Sequence, residues 1–394
     1  MTEFEPRNAF EHIDKLAYEI GPRLAGTRGE RAASEYIRGE FERYGLKTQV
    51  QEFRFVSRSA KLKATSVLFA TVFIAVALLP PEFSIVAWLG ALGLWRMLEK
   101  VMPKRSSQNI IATLKAQKPE KRVAVTAHYD SAPCLVNYKI HLVVKLMFSP
   151  LLAVNSIILI LRCLELIPAW PVVWIGLALV FLPVCAGMFA GGYGRKVSPG
   201  ANDNASGVAV TLEVARVLSE SPPENTELKF IAFGAEEQGM IGAKNLASKK
   251  LLPPDTVVLN LDTVGVGSQA YIVEGNGILR KTRTSHLANR ALAESIRQSG
   301  LEPKFMWAPV AGHDHIPLVR AGIHATTFSV DTAGQDKLGK RFAKLFMLPN
   351  AKIRGYRYIH TLEDVPDRLE LKNVERAGNV ALNFIKSQRS QLDM

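Results

Sequence analysis

Apolar residues recur at helical spacing over Asn8–Ile20, at Phe10, Ile13, Leu16 and Ala17, and over Gly29–Tyr44, at Ala33, Tyr36, Ile37 and Phe41. The first run stops at Gly21-Pro22 and the second at Gly45, as helix ends do. Strand-like runs follow at Thr48–Phe55, Asn109–Leu114, Arg122–Ala127, Glu227–Phe233, Thr256–Leu261, Tyr271–Val273 and Ile323–Phe328. Helical patterns lie between them at Ser206–Leu218, Met240–Ser248, Arg283–Ser299 and Lys372–Ser387. Strands that alternate with helices predict an α/β fold, a mostly parallel mixed sheet sandwiched between helices. In such sheets ligands collect at the carboxyl ends of the strands.

Two stretches break this rhythm. Within residues 58–105, apolar runs occupy Ala64–Leu79 and Phe83–Trp95, joined by Pro80-Pro81; within 135–197, Leu142–Leu161 is followed by Leu166–Gly192, 27 residues without a charge. A helix needs roughly 20 apolar residues to cross a bilayer, so the second stretch reads as a transmembrane hairpin and the first as a hydrophobic hairpin, spanning or re-entrant. The domain expected from this division comprises 1–57 with 106–134 and 198–394, interrupted by the insertions 58–105 and 135–197.

Charge sharpens that picture. The 394 residues carry a formal net charge of +13 with a mean hydropathy of +0.08. Residues 58–105 hold a net +5 and residues 135–197 a net +4, mostly outside their hairpin tips. By the positive-inside rule the expectation is an integral membrane protein with its remaining domain facing the cytoplasm and the lipid bilayer as a partner. Met1–Gly26 has charges throughout and no apolar core, so no cleavable signal peptide is expected there. Because the basic residues flank hydrophobic runs without an aromatic-interleaved groove pattern, nucleic acid is not expected as a partner. Disorder is excluded by the 48% hydrophobic content, and a disulfide scaffold by the three cysteines, Cys134, Cys163 and Cys185.

The polar residues that follow the strand-like runs carry the chemistry. Arg122–Ala127 leads into His128-Tyr129-Asp130, Glu227–Phe233 through Gly234 and Ala235 into Glu236-Glu237, and Thr256–Leu261 into Asp262. Asp203 lies in the turn-rich stretch before Ser206, and His360 follows Tyr356-Arg357-Tyr358-Ile359, which reads as strand. Singly, each has a structural explanation: Asp203 as a cap, the glutamates as first-turn charges, His128 as a hydrogen-bonded strand end. Gathered at one edge of one sheet, two histidines and several carboxylates suit Zn²⁺, which accepts nitrogen and oxygen ligands. A carboxylate shared between two ions holds them about 3.5–4 Å apart.

These stretches resemble the zinc aminopeptidases of the M28 family. His128-Tyr-Asp-Ser131 is similar to the family's His-x-Asp motif, Gly200-Ala-Asn-Asp-Asn-Ala-Ser-Gly207 to its Gly-Ala-x-Asp-Asn-Ala-Ser-Gly motif, and Ala235-Glu-Glu-Gln-Gly239 to its Glu-Glu-x-Gly motif. Asn260-Leu-Asp262 and His360-Thr361 resemble the two remaining ligand motifs, and Ile20-Gly-Pro-Arg-Leu-Ala-Gly-Thr27 the family's N-terminal region. The family usually has an acidic residue where this chain has Asn202. The resemblance implies two Zn²⁺ per chain, one held by His128, Asp203 and Asp262, the other by Asp203, Glu237 and His360. It further implies Glu236 as the general base, Asp130 as the carboxylate that orients His128, and N-terminal residues of peptides as the substrate. It places His315, with Asp314, near the rim of the site at the start of a helix; Tyr356 and Tyr358 are candidates for contact with substrate.

Two other readings compete. Glutaminyl cyclases share the architecture but use one zinc, and an inactive membrane receptor or scaffold would keep the fold alone. Retention of both His128 and Asp262 favours the dinuclear hydrolase over the first, and retention of Glu236 argues against the second.

Overall fold

The computed structural model describes residues 3–78, 81–135, 171–190, 193–334, 337–353 and 358–387, with individual positions between 147 and 166. The strands are β1 (Lys47–Val56), β2 (Lys104–Leu114), β3 (Lys121–His128), β4 (Pro133–Leu135), β5 (Tyr193–Val197), β6 (Thr226–Phe233), β7 (Thr256–Leu261), β8 (Gln269–Asn276), β9 (Thr282–Arg283), β10 (Lys304–Ala308) and β11 (His324–Asp331). The helices are α1 (Pro6–Asp14), α2 (Arg28–Arg43), α3 (Arg58–Leu78), α4 (Pro81–Val101), α5 (Pro171–Ala190), α6 (Ser206–Glu220), α7 (Ile241–Ser248), α8 (His286–Gln298), α9 (His315–Arg320), α10 (Lys337–Phe346) and α11 (Leu371–Ser387).

A nine-stranded sheet runs β1-β2-β6-β3-β7-β11-β8-β10, with β9 beside β8. Its centre, β6-β3-β7-β11, is parallel. Antiparallel pairing takes over outward, β2 against β6 and β8 against β11. The central strands are buried on both faces, which is why their sequences read as continuous apolar runs. Alternate side chains nevertheless part cleanly. Val123, Val125, Phe230 and Leu259 join the core under α1, α2, α6, α8 and α11, while Ala124, Ile231, Phe233 and Val258 join the core under α7 and α9. The expected α/β sandwich with its mixed sheet is the observed fold.

The chain divides into two compact units. One comprises Met1–Arg54, Ser106–Pro133 and Lys196–Met394 and contains both cores just described; the other comprises Phe55–Arg105 and Cys134–Arg195. In the second unit α3, α4 and α5 build their own apolar cluster from Phe69, Val72, Phe73, Ala91, Phe181 and Cys185, with the Phe73 and Phe181 rings 5.2 Å apart.

The expectation of an integral membrane protein with a transmembrane hairpin, facing the cytoplasm, is corrected here. Among the described residues no helix is long and apolar enough to cross a membrane. For α3 and α4 the physical reason lies in where the charges fall. Helix α3 runs on into Arg58, Lys61 and Lys63, and α4 into Arg96, Glu99 and Lys100, so each 21-residue helix is only partly apolar. Lys61 and Glu99 pair with one another. Most of the expected run Leu142–Leu161 lies outside the described residues.

Candidate metal centre

The ends of three parallel strands converge. His128 closes β3; β6 ends at Phe233 and turns through Gly234 and Ala235 to Glu236 and Glu237; Asp262 follows β7. The β6 turn is tight. A Cβ on Gly234 would lie 2.4 Å from Ser107 Oγ and 2.5 Å from the Gln108 carbonyl, so a larger residue would push the glutamates out of place.

Asp203 reaches the same point from Ala201–Ala205, the irregular turn that opens α6. Its neighbours tie this turn to the loop after β7. Asn204 donates to the Leu261 carbonyl at 2.8 Å and accepts from Gly207 and Thr263, while Asn202 accepts from Gly265 at 2.8 Å. The loops carrying Asp203 and Asp262 are therefore one hydrogen-bonded body.

Asp203 is the middle of the constellation. Its Oδ1 lies 3.2 Å from His128 Nε2 and its Oδ2 3.1 Å from His360 Nε2, which is also 3.1 Å from Glu237 Oε1. Two groups result, His128 with Asp203 and Asp262, and Asp203 with Glu237 and His360, the potential ligand atoms within each lying less than 4.8 Å apart. Asp130 does more than face its histidine. Its Oδ1 is 3.7 Å from His128 Nδ1, and the two carboxylate oxygens accept the backbone N–H groups of Glu236 at 2.9 Å and Glu237 at 3.2 Å.

The protonation equilibria follow from burial against charge. Burial favours a neutral His128, but hydrogen bonds to Asp130 and Asp203 override it and set its pKa well above the ordinary histidine value. His360 is raised likewise, burial being outweighed by Glu237 and Asp203. For Asp203, burial is overturned by hydrogen bonds from His128 and His360, which hold it well below the usual carboxylate range. Burial pushes Asp262 up to about 7, with Asp203 and Glu237 adding to it against the opposing His128. Withdrawal from water also raises Glu236 well above its ordinary value, with Asp314, Glu237 and Asp262 adding to it. Carboxylates thus outnumber imidazoles in a desolvated space. That excess of acceptors, with nitrogen and oxygen donors in two overlapping groups, fits a pair of divalent cations and suits zinc.

The other residues singled out from the sequence are placed differently. His315 opens α9 but is fully buried, its Nδ1 2.6 Å from Thr327 Oγ1. His313 stacks against it at 5.7 Å and places Nε2 3.9 Å from Asp262 Oδ2. Between them Asp314 is buried, pushed up to about 8 by desolvation, with neither carboxylate oxygen hydrogen-bonded. Tyr356 lies outside the described residues. Tyr358 and Ile359 form a turn rather than a strand, because His360 sits at φ 59°, and the Arg368 guanidinium covers the Tyr358 ring at 4.6 Å. Sequence reasoning gave no role to Asp364, whose carboxylate accepts the backbone N–H groups of Asn202 and Asp203, or to Arg23. Both act on backbone atoms, so no pattern of side chains announces them.

Comparison with known proteins fits this geometry. The model of Peptidase family M28 matches residues 186–385, about half of the chain, which takes in Asp203, Glu236, Glu237, Asp262 and His360 and begins after His128 and Asp130. Aminopeptidase YwaD of Bacillus subtilis is 38% identical over 138 residues, 33% of this chain and 29% of that protein. The probable lipoprotein aminopeptidase LpqL of Mycobacterium tuberculosis is 51% identical over 76 residues, 18% of this chain and 15% of the other. The matched stretches thus span less than a third of these relatives' length. Among solved structures, the zinc aminopeptidase BSAP from Bacillus subtilis superposes with a TM-score of 0.57 at 19% identity, covering 98% of this chain and 96% of the other. The glutaminyl cyclase of Porphyromonas gingivalis superposes with a TM-score of 0.59 at 14% identity, covering 98% and 100%. At these identities the superpositions speak to the fold alone.

Proposed function

Because the chain belongs to peptidase family M28, we propose that it is a zinc-dependent aminopeptidase that removes N-terminal residues from peptides, with two zinc positions sharing Asp203. The observation that carries this reading is the pair of overlapping groups, His128 with Asp203 and Asp262, and Asp203 with Glu237 and His360. Zinc bound there would lower the pKa of a water molecule and polarise the scissile carbonyl. Asp203 is suited to serve both positions because its two oxygens face different histidines.

Glu236 is the residue assigned to proton transfer. Its carboxylate takes a proton from the attacking water as the new C–O bond forms. It then delivers that proton to the amine nitrogen as the C–N bond breaks, so the residue ends as it began. Asp130 fixes the peptide units on either side of Glu236 and so restricts where the carboxylate points.

The aminopeptidases among the relatives support the reaction class, and the neighbouring glutaminyl cyclases define its rival. Conjunction of His128 and Asp262 with Asp203 favours the dinuclear hydrolase. The test is a screen of aminoacyl p-nitroanilides and N-terminal glutaminyl peptides, with and without zinc, on the parent and on Glu236→Gln. Aminoacyl hydrolysis with about two zincs per chain is expected, and Glu236→Gln should lose about 10²–10⁴ in kcat while retaining its metal. Full activity in Glu236→Gln, or cyclisation of glutaminyl peptides without hydrolysis, overturns the proposal.

A further inference from the structure

His128 and Asp203 belong to one candidate metal group, yet Cys134–Arg195, a whole segment of the second unit, lies between them in the chain. Two buried residues hold the flanks of this interruption. Arg23, fully buried, donates from Nε to the Tyr129 carbonyl at 2.8 Å, one residue beyond His128. Its Nη1 donates to the Pro199 carbonyl at 2.7 Å and its Nη2 to the Gly200 carbonyl at 2.9 Å, just ahead of Asp203. The carbonyls of Leu16 and Gly21 also lie 2.7 and 3.0 Å from Nη1, so its two N–H groups are shared among three acceptors. Gly200, at φ 63°, permits this approach: a Cβ there would lie 2.7 Å from Ser131 Cβ and 3.1 Å from Arg23 Nη2.

Asp364 acts from the other side. It too is fully buried, and its Oδ1 and Oδ2 accept the N–H groups of Asn202 at 2.9 Å and Asp203 at 3.2 Å. Its own carbonyl accepts from Ala201 at 3.1 Å. Because Asp364 follows His360 by one short turn, it links the segment bearing His360 to the backbone of Asp203. Arg23 thus joins the His128 side to the Asp203 turn, and Asp364 joins that turn to the His360 side. Neither residue belongs to either metal group.

We propose that Arg23 and Asp364 are positioning residues that set Asp203 where both metal groups share it, so that zinc affinity depends on them although neither touches the metal. The inference rests on the reading of Asp203 as a shared ligand. It requires the planar fork of arginine, since the single ammonium of lysine cannot meet carbonyls on both flanks at once. It equally requires two acceptor oxygens at position 364, since the amide nitrogen of an asparagine would face an N–H group.

The test uses the full chain freed of metal, titrated with zinc alone against a chromophoric chelator, for the parent, Arg23→Lys and Asp364→Asn. Near-ultraviolet circular dichroism and thermal melting of the metal-free chains run alongside. Expected is a zinc affinity lowered by about 10–100-fold in both variants with the metal-free fold retained, the effect typical of residues that orient ligands. Parental zinc affinity in either folded variant overturns the inference. Where one variant fails to fold the other decides, and loss of the metal-free fold in both overturns it too, because the pair would then support the whole domain rather than the turn. A parent chain that binds no zinc would instead strike the reading of the metal groups themselves.

Discussion

Asp130 accepts the backbone N–H of Glu236 at 2.9 Å, so the end of β3 fixes the peptide that presents the proposed base at the end of β6. The same carboxylate takes the N–H of Glu237 and faces His128 Nδ1, which joins a ligand, a base and a second ligand through one side chain. Asp130→Ala should therefore lower kcat/KM by about 10–100-fold. Asp130→Asn, which keeps one acceptor oxygen, should fall between. Steady-state kinetics on an aminoacyl substrate ranks the three chains.

Gly207 is where the turn of Asp203 meets the end of β7. A Cβ there would lie 2.5 Å from Asn204 Oδ1 and 2.7 Å from the Leu261 carbonyl, and the latter is backbone that cannot yield cheaply. Gly207→Ala should destabilise the chain by about 1–3 kcal/mol, the cost of overpacking. It should also weaken zinc binding, since the displaced atoms lie between Asp203 and Asp262. Denaturant melts and zinc titration of the variant measure the two effects separately.

Removal of metal should cost stability. The site collects Asp203, Glu237 and Asp262 with Glu236 and Asp314 nearby, and burial has already raised Glu236, Asp262 and Asp314. With zinc at a thousandfold excess over its Kd, the linkage amounts to about 4 kcal/mol. A chelator should lower the thermal midpoint accordingly, and added zinc should restore it.

His12 supplies a pH dependence away from the site. It is buried between α1 and α2, with Nδ1 2.6 Å from Tyr36 Oη and Nε2 3.1 Å from Tyr44 Oη. Tyr44 donates its own proton to Glu40, so it accepts from Nε2–H and leaves Nδ1 to accept from Tyr36. Burial, with Arg43 adding to it, lowers the imidazole to about 4 from 6.5. The fold therefore favours neutral His12: its contribution is complete above pH 6.5 and is lost as pH falls from there through 4, on the order of 3 kcal/mol. Thermal melts of metal-free parent and His12→Gln between pH 4 and 7 should differ in slope, with the variant the flatter.

The sheet and much of the site were legible because both rest on side-chain pattern. Strand β7 matches the sequence expectation residue for residue, and His128 and Asp262 share one group with Asp203, as Glu237 and His360 share another with it. Features set by backbone geometry escaped. Tyr358 and Ile359, ahead of His360, have strand composition but lie in a turn, and Arg23 and Asp364 bind carbonyl and amide groups. The short edge strand β10 and the amphipathic α10 gave no run long enough to stand out. The apolar segments misled for another reason. Their length suits a bilayer, whereas Phe69, Phe73, Phe181 and Cys185 use their apolar surface to pack helices on one another.

The base of the long insertion after His128 is sewn shut. Ser198 donates its N–H to the Ala132 carbonyl at 2.9 Å, Ser131 Oγ donates to the Ser198 carbonyl at 2.8 Å, and Arg23 exchanges hydrogen bonds with Ser131 through its own N–H and carbonyl. Chain that leaves and returns through a closed neck behaves as a cassette: lengthening it from about 8 to 64 residues costs only about 1.8 kcal/mol of closure entropy. The closed neck, not the inserted chain, therefore sets how far apart the flanks of His128 and Asp203 stand, so a change of length within the insertion leaves those flanks in register.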